Sequence, residues 1–156
     1  MIKLTRIDDR MLHGQVGFAW VPALDVNCLV VANDKVAKDE FQKMAMGLAK
    51  PPSVKLLILT VENAIAFLND DKSKNAKILL IVNSINDAFA ISKEVTDIQS
   101  INFGGIRTKN GAKLISKAIA VTDDEINIIR QMLENGLELE VRQVPTDKKQ
   151  LVKSLL

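Results

Sequence analysis

Short apolar runs recur along the chain and alternate with segments of helical periodicity. The runs that predict strands are 2–7, 26–32, 54–60, 76–82 and 98–103. Most are nearly continuous in apolar residues, as expected of strands buried on both faces of a parallel sheet. Strands that alternate with helices at this spacing predict a three-layer α/β/α sandwich around a mostly parallel sheet of six to seven strands. We find no linker, repeat or low-complexity tract, so we expect a single domain over residues 1–156.

Capping residues predict where several helices begin. Ser84, with Asp87 three residues on, predicts one start, and the capping box Thr122–Glu125 predicts a helix ending at Asn135. Asn33-Asp34 predicts a helix running to about Lys50, whose apolar residues lie at helical spacing: Val36, Phe41, Met44, Ala45 and Leu48.

The C-terminal third is less regular. The segment 106–121 contains a turn at Asn110-Gly111 and room for a short strand between Leu114 and Val121. The clean alternation of 137–144 predicts an edge strand with one solvated face, and Thr146 is expected to start a final helix.

Composition excludes several classes of protein. The net charge is +2 and the basic residues are dispersed, without the clusters and aromatics of a nucleic-acid surface. No apolar run approaches the roughly 18–20 residues of a membrane span, and the N-terminus does not resemble a signal peptide. The single cysteine, Cys28, is predicted to be a buried strand thiol. One cysteine cannot form an intrachain disulfide, which fits a reducing cytoplasm.

The only histidine, His13, follows the first predicted strand in the loop Asp8-Asp9-Arg10-Met11-Leu12-His13-Gly14-Gln15. Open α/β sheets bind ligands at this carboxyl edge. The loop lacks the glycine pattern of a dinucleotide fold or of a phosphate-binding loop. One histidine and one distant cysteine do not make a zinc site, no serine lies in a nucleophile elbow, and the third strand ends on Thr60 where a receiver domain needs an aspartate.

A phosphoryl-transfer site fits this loop. Imidazole nitrogen is a good nucleophile at neutral pH. Arg10, loop amides and the helix start near Gln15 would stabilise phosphate charge, and Gly14 would allow close approach of the backbone. The alternative, which the residues alone leave open, is a structural histidine bonded to Asp8 or Asp9.

The run 6–16 resembles the active-site signature of the IIB subunits of the bacterial sugar phosphotransferase system, mannose–fructose–sorbose family. The likeness covers essentially the whole chain and includes Trp20, Asn33-Asp34, Pro51-Pro52, 102–105, 136–142 and Thr146-Asp147. The resemblance implies a sheet whose first strand is central, between the fourth and the fifth. It also implies a protein-N(π)-phosphohistidine–sugar phosphotransferase, in which His13 accepts a phosphoryl group from a phosphohistidine on a IIA partner. His13 then passes it to a sugar entering through the membrane subunits IIC and IID.

In this arrangement Arg10 helps to hold the phosphate, and three carboxyl-end loops converge near His13. Asn83 and Ser84 are candidate donors to phosphate, and the alternative for Ser84 is a helix cap alone. Gly104-Gly105, with Arg107 beside it, is a candidate for letting the partner approach, and the alternative is a tight turn alone. Asp9 is expected to orient Arg10 or His13. Arg142, in the last strand, is expected to form a surface salt bridge.

The expected partners are a IIA protein or domain, IIC, IID and the sugar, with no nucleic acid, no metal and no cofactor. The protein would act in the cytoplasm at the inner face of the membrane, and a homo-oligomer remains open. Met11, Phe18 and Ile106 would form a docking patch, and Arg107 and Lys109 would steer an acidic rim on IIA. The competing hypothesis is a non-catalytic regulatory or binding domain in which His13 is structural.

Overall fold

The computed structural model describes residues 1–156, built on a seven-stranded sheet in the order β3-β2-β4-β1-β5-β8-β9. The strands are β1 (Ile2–Asp8), β2 (Cys28–Ala32), β3 (Lys55–Leu59), β4 (Ile78–Val82), β5 (Ser100–Gly105), β6 (Lys113–Ser116), β7 (Ile119–Val121), β8 (Glu138–Val141) and β9 (Gln150–Leu151). Only the β8–β9 pair of this sheet is antiparallel. The predicted three-layer, mostly parallel architecture is therefore confirmed, as is the central position of β1 between β4 and β5.

Helices cover both faces of the sheet. They are α1 (Val21–Leu24), which follows a π-helical turn Val16–Trp20, α2 (Glu40–Ala49), α3 (Val61–Asn69), α4 (Ile85–Glu94) and α5 (Asp123–Glu134). One apolar core lies between the sheet and α1 and α2. The larger core lies on the opposite face, beneath α3, α4 and α5.

The helix starts predicted at Ser84 and Thr122 from local capping are confirmed. Ser84 Oγ accepts a hydrogen bond from the Asp87 N–H at 3.1 Å. Thr122 and Glu125 form the reciprocal capping box at the start of α5. The φ of +89° at Gly136 follows the end of that helix, where glycine is favoured.

The helix predicted from Asn33 to Lys50 is wrong in its start. Asn33 Oδ1 accepts from the Val36 N–H and caps only the 3₁₀ turn Val36–Lys38, and α2 is capped separately by Asp39. On α2 only Met46 is buried. The apolar residues at helical spacing face outward, with exposures of 78% for Phe41, 66% for Met44 and 85% for Leu48.

The C-terminal predictions also need correction. Strand β8 is not an edge strand, because β9 pairs with it, and its Glu140 is buried by ion pairing with Arg142. The helix expected from Thr146 is absent. Asp147 instead accepts from the Gln143 and Val144 N–H groups in a turn that leads into β9. The short strand expected near Leu114–Val121 is half of the hairpin β6–β7.

The lone cysteine is buried in β2, as predicted. Burial raises the pKa of the Cys28 thiol, and the charge of Lys55 opposes that shift. The thiol form is therefore favoured.

Candidate active site at the end of the first strand

The site begins where β1 ends. Asp8 is the last residue of the strand, and the next N–H, of Asp9, donates to Gly105 O at the end of β5. The chain then turns sharply, with Met11 N donating to Asp8 O at 2.8 Å. Met11 has φ of +59°, a left-handed conformation that costs a non-glycine residue energy, so the packing of the site holds this loop in a strained shape.

A buried arginine anchors the Asp8 carboxylate. Arg6 is 1% exposed, and its Nη2 donates to Asp8 Oδ2 at 3.1 Å. Its Nη1 donates to Asn102 Oδ1 at 2.8 Å and to Arg142 O at 3.2 Å. Burial lowers the pKa of Arg6, and the charge of Asp8 opposes that shift. A buried cation is tolerated here because a carboxylate and two other acceptors surround it.

Gly104 makes room for this arginine. A side chain at Gly104 would overlap the Arg6 guanidinium, whereas Gly105 leaves ordinary contact distance to Asp8. We expected the two glycines to admit a partner. The structure instead explains Gly104 by packing within the chain, because the Arg6 guanidinium closely approaches the backbone of β5.

The only tryptophan contacts two arginines. The Trp20 ring centre is 5.4 Å from Arg6 Cζ and 5.2 Å from Arg142 Cζ, and Trp20 Nε1 donates to Gln143 O. Arg142 is paired with Glu140, as predicted, but it lies half-buried just beyond β8 and not on an open surface. Cation–π contacts of this kind hold the arginines in place.

His13 is fixed by Asp8. Its Nε2 lies 3.0 Å from Asp8 Oδ2, and its side chain is 18% exposed. Arg10 Nη2 lies 3.4 Å from the same nitrogen. Nε2 cannot donate to Asp8 and accept from Arg10 at once, and the shorter contact with a carboxylate favours a proton on Nε2. The lone pair is then on Nδ1, which has no hydrogen-bond partner.

Asp9 contacts neither Arg10 nor His13, the two residues that it was expected to orient. Its Oδ2 accepts from Arg107 N at 2.7 Å and from Arg107 Nε at 3.0 Å, and Asp8 makes the contact to His13. The side chains of consecutive strand residues point to opposite faces of the sheet, so only one of two adjacent carboxylates can face the histidine. Lys109 is likewise paired, with Glu125.

A basic cleft of about 800 Å³ adjoins Asp8. Gln15, Gly104, Gly105 and the tip of the β6–β7 hairpin contribute to its wall. Its cationic lining residues are Arg6, Arg10, Arg107 and Lys117, against the carboxylates of Asp8 and Asp9. Such a lining favours an anion.

The remaining predicted site residues lie apart from this cleft or play other parts. Asn83 and Ser84 line a neighbouring depression beyond Arg107, and the Ser84 hydroxyl already caps α4. Gly14 is exposed, with open space beside it. Of the expected docking patch, Met11 and Ile106 are buried, and only Phe18, 64% exposed, is available to a partner.

Sequence reasoning gave no role to Arg6, Asn102 and Trp20, although all three lie in the segments that carry the family resemblance, and it left Asp8 as one of two choices. One signal was available. Arg6 and Asp8 are two residues apart in a strand, so their side chains share a face, and opposite charges on the buried face of a central strand must pair. Asn102 lies 96 residues from Arg6, and no local pattern connects them.

Comparison with known proteins agrees with the fold. The model of the PTS system sorbose subfamily IIB component matches residues 2–156. A probable phosphotransferase enzyme IIB component of Streptococcus pyogenes is 44% identical over 106 residues, which are 68% of this chain and 65% of that protein. The mannose-specific EIIAB component of Escherichia coli is 32% identical over 96% of this chain and 46% of its own length. The chain thus spans less than two thirds of either relative.

Among solved structures, the IIBSor domain of the sorbose permease from Klebsiella pneumoniae superposes with a TM-score of 0.94 at 26% identity, covering 99% of this chain and 95% of that one. None of the helices is both long and apolar enough to cross a membrane. The chain belongs to the sorbose subfamily of IIB components of the sugar phosphotransferase system, a family of phosphotransferases.

Proposed function

We propose that this protein is a phosphocarrier that holds the phosphoryl group on Nδ1 of His13. The observation that carries the proposal is the contact between Asp8 Oδ2 and His13 Nε2, which leaves Nδ1 as the free nucleophile. The phosphodonor is a phosphohistidine on a IIA partner, and the acceptor is a sugar.

The step balances with the residues present. The Nδ1 lone pair attacks phosphorus, the bond from phosphorus to the partner's imidazole nitrogen breaks, and that nitrogen recovers the electron pair. The Nε2 proton stays in place, so the His13 ring becomes positively charged as the new N–P bond forms. The Asp8 carboxylate, held by Arg6, stabilises this charge. The charged ring remains a good leaving group for the transfer to sugar.

Positive charge around the cleft supports the same chemistry. Phosphoryl transfer depends mainly on positioning and on stabilising the charge of the equatorial oxygens. Asp8 largely neutralises Arg6 and Asp9 neutralises Arg107, so Arg10 is the cation beside His13 that is left for the phosphate. The donor is already activated, and we expect no metal to be required.

The partners follow from the reaction and from the family. A IIA protein or domain supplies the phosphoryl group, in line with the name of the E. coli EIIAB relative. Membrane subunits IIC and IID deliver the sugar, and the protein acts at the inner face of the membrane. The relatives are named for different sugars, mannose and sorbose among them, so the sugar is left open.

The test is transfer from purified phospho-IIA to this protein, with and without excess chelator. The ³¹P NMR spectrum distinguishes Nδ1- from Nε2-phosphohistidine. We expect acid-labile, base-stable phosphate on Nδ1 of the wild type, at the same rate with chelator, and none on His13→Gln. Phosphate on another residue or on Nε2, or no transfer at all, contradicts the proposal. The last outcome supports a regulatory domain with a structural histidine.

A further inference from the structure

Helix α2 presents an apolar stripe to solvent. The stripe consists of four exposed residues at helical spacing, Phe41, Met44, Ala45 and Leu48. It lies opposite Met46, the one buried residue of the helix, and therefore faces away from the sheet. From 41 to 49 the helix carries a single charge, that of Lys43, which pairs with Glu40. An outer helix face that is apolar and almost uncharged is typical of a surface covered by another molecule.

The C-terminal end of α2 contacts the turn that follows His13. Gly17 N donates to His13 O at 3.1 Å, so Phe18 lies little more than one helical turn, roughly 8 Å, from His13. A Cβ atom at Gly17 would be 2.9 Å from the carbonyl oxygen of Ala49, the last residue of α2. Leu48 precedes Ala49, so Leu48 lies within roughly 15 Å of His13 as well. Exposed Phe18 and the stripe together are called the apolar surface below, and this surface begins beside the nucleophile.

His13 and α2 lie on the same side of the sheet. Met11 and Leu12, the residues before His13, pack into the core beneath α1 and α2, together with Met46. The helices α3, α4 and α5 cover the separate core on the opposite side. A protein that approaches His13 from the side of α1 and α2 therefore meets the apolar surface.

We propose that the apolar surface is the docking site for the IIA protein or domain that carries the donor phosphohistidine. This inference rests on the proposed phosphocarrier function. A standard protein interface covers about 800 Å² on each partner, an area roughly 30 Å across. An interface centred on His13 therefore extends to about 15 Å from it, a distance that includes Phe18 and Leu48.

The chemistry of the reaction favours the phosphodonor as the occupant. The donor group is a side chain of a protein, so a protein surface has to come within bonding distance of Nδ1 of His13. The acceptor is a sugar, a small molecule whose contact with His13 needs no extended apolar surface. We expect the IIA surface around the phosphohistidine to carry exposed apolar residues, which would bury the apolar surface of this chain.

Steady-state transfer from phospho-IIA tests the proposal. Leu48→Glu should raise the KM for phospho-IIA about tenfold and leave kcat unchanged, because a contact remote from the reacting atoms contributes equally before and during transfer. Met44→Gln/Leu48→Gln should also raise KM, which assigns the effect to lost apolar contact and not to an added charge. The matched control is Leu156→Glu, at a 43% exposed position, which should behave like the wild type. The chain after β9 leads toward the amino end of β8, away from the edge where His13 lies.

Direct binding separates docking from the chemical step. His13→Gln lacks the nucleophile, and its titration with phospho-IIA in a calorimeter measures the Kd alone. Adding Leu48→Glu to this variant should raise the Kd about tenfold. Circular dichroism verifies that the variants are folded. Binding of phospho-IIA without phosphorylation of the wild type would contradict the phosphocarrier function and leave the docking site in place.

Four results would overturn the docking site. They are no binding of phospho-IIA to any form, equal KM and Kd values for the Leu48→Glu and Leu156→Glu changes, a fall in kcat without a change in KM, and normal transfer from phospho-IIA combined with slower phosphorylation of sugar by the complete membrane complex. The last result would assign the apolar surface to IIC and IID. A wild-type dimer that Leu48→Glu dissociates, with KM unchanged, would assign it to a second copy of the chain.

Discussion

The Oδ2 atom of Asp8 lies 3.0 Å from His13 Nε2, and this contact selects Nδ1 as the reactive nitrogen. The same oxygen accepts from Arg6, so the orientation of His13 depends on a cation buried in the central strand. Nucleophile, carboxylate and arginine form one unit built on β1 and the turn that follows it.

Asp8→Asn should slow phosphotransfer by about 10²-fold or more, because the amide cannot stabilise the positive ring. The substitution also leaves buried Arg6 without its counter-ion, so the free energy of unfolding should fall by about 3 kcal/mol. Transfer from phospho-IIA and urea denaturation measure the two effects. The ¹⁵N NMR shifts of His13 should show loss of the Nε2–H tautomer in Asp8→Asn and its retention in the control Asp9→Asn. Unchanged ¹⁵N shifts of His13 in Asp8→Asn would show that Asp8 does not determine the tautomer of His13.

Arg10→Ala should reduce the rate of phosphotransfer by about 10²-fold, because a cation close to the developing phosphate charge acts mainly in the transition state. Arg10 is exposed, and its loss should change the free energy of unfolding by less than about 1 kcal/mol. Rapid-quench transfer kinetics and thermal unfolding measure these quantities. Arg130→Ala, at an exposed position of α5, is the control. A lower melting temperature with wild-type kinetics would make Arg10 structural.

Gly104→Ala should destabilise the fold by about 3 kcal/mol, because the new methyl group overlaps the Arg6 guanidinium. The displaced arginine can no longer hold Asp8, so phosphotransfer should fall as well. Gly47→Ala is the matched control. Its Cβ meets nothing within 4 Å, and alanine in a helix should stabilise by about 0.5–1 kcal/mol. Equal unfolding midpoints for the two variants would contradict this account of Gly104.

Asp87 should make stability depend on pH. Burial, and then the charge of Asp34, raise the pKa of Asp87 in the folded state, although Ser84 opposes the shift. A carboxyl whose folded pKa is raised favours the native state below its unfolded pKa of 3.8, and this contribution is lost as pH rises through the folded pKa. Asp87→Asn should therefore be more stable than the wild type at pH 7, by less than about 1 kcal/mol, and gain nothing at pH 3.

Urea denaturation at the two pH values measures this effect. Asp124→Asn, exposed in the first turn of α5, is the control. It should lose a little stability at pH 7, since a carboxylate there complements the helix dipole. A gain for Asp124→Asn as large as that for Asp87→Asn would exclude burial as the cause.

The sequence predicted features that local interactions determine. The caps at Ser84 and Thr122 depend on residues three positions apart, and the strands depend on short apolar runs. The outward face of α2 was not predictable, because periodicity shows that an apolar stripe exists and does not show which side the sheet lies on. The C-terminal strand β9 exists through its pairing with β8, and the buried state of Glu140 depends on Asn102, Arg142 and their neighbours.

The site was predictable in part for the same reason. The unique histidine and the arginine three residues before it are visible in the sequence. The spacing of Arg6 and Asp8 in one strand favours Asp8 over Asp9, but the contacts of Arg6 with Asn102 and Trp20 require the fold. The ion pairs of Arg107 and Lys109 with Asp9 and Glu125 also join separate loops.

Trp20 gives the protein a built-in optical reporter. It is the sole indole in the chain, so the intrinsic fluorescence excited at the red edge comes from one position. That position touches Arg6, which holds Asp8, which holds His13. A change in the charge of His13 is therefore linked to Trp20 through three contacts. Phosphorylation and dephosphorylation of His13 should each change the Trp20 fluorescence in a stopped-flow experiment without an added label.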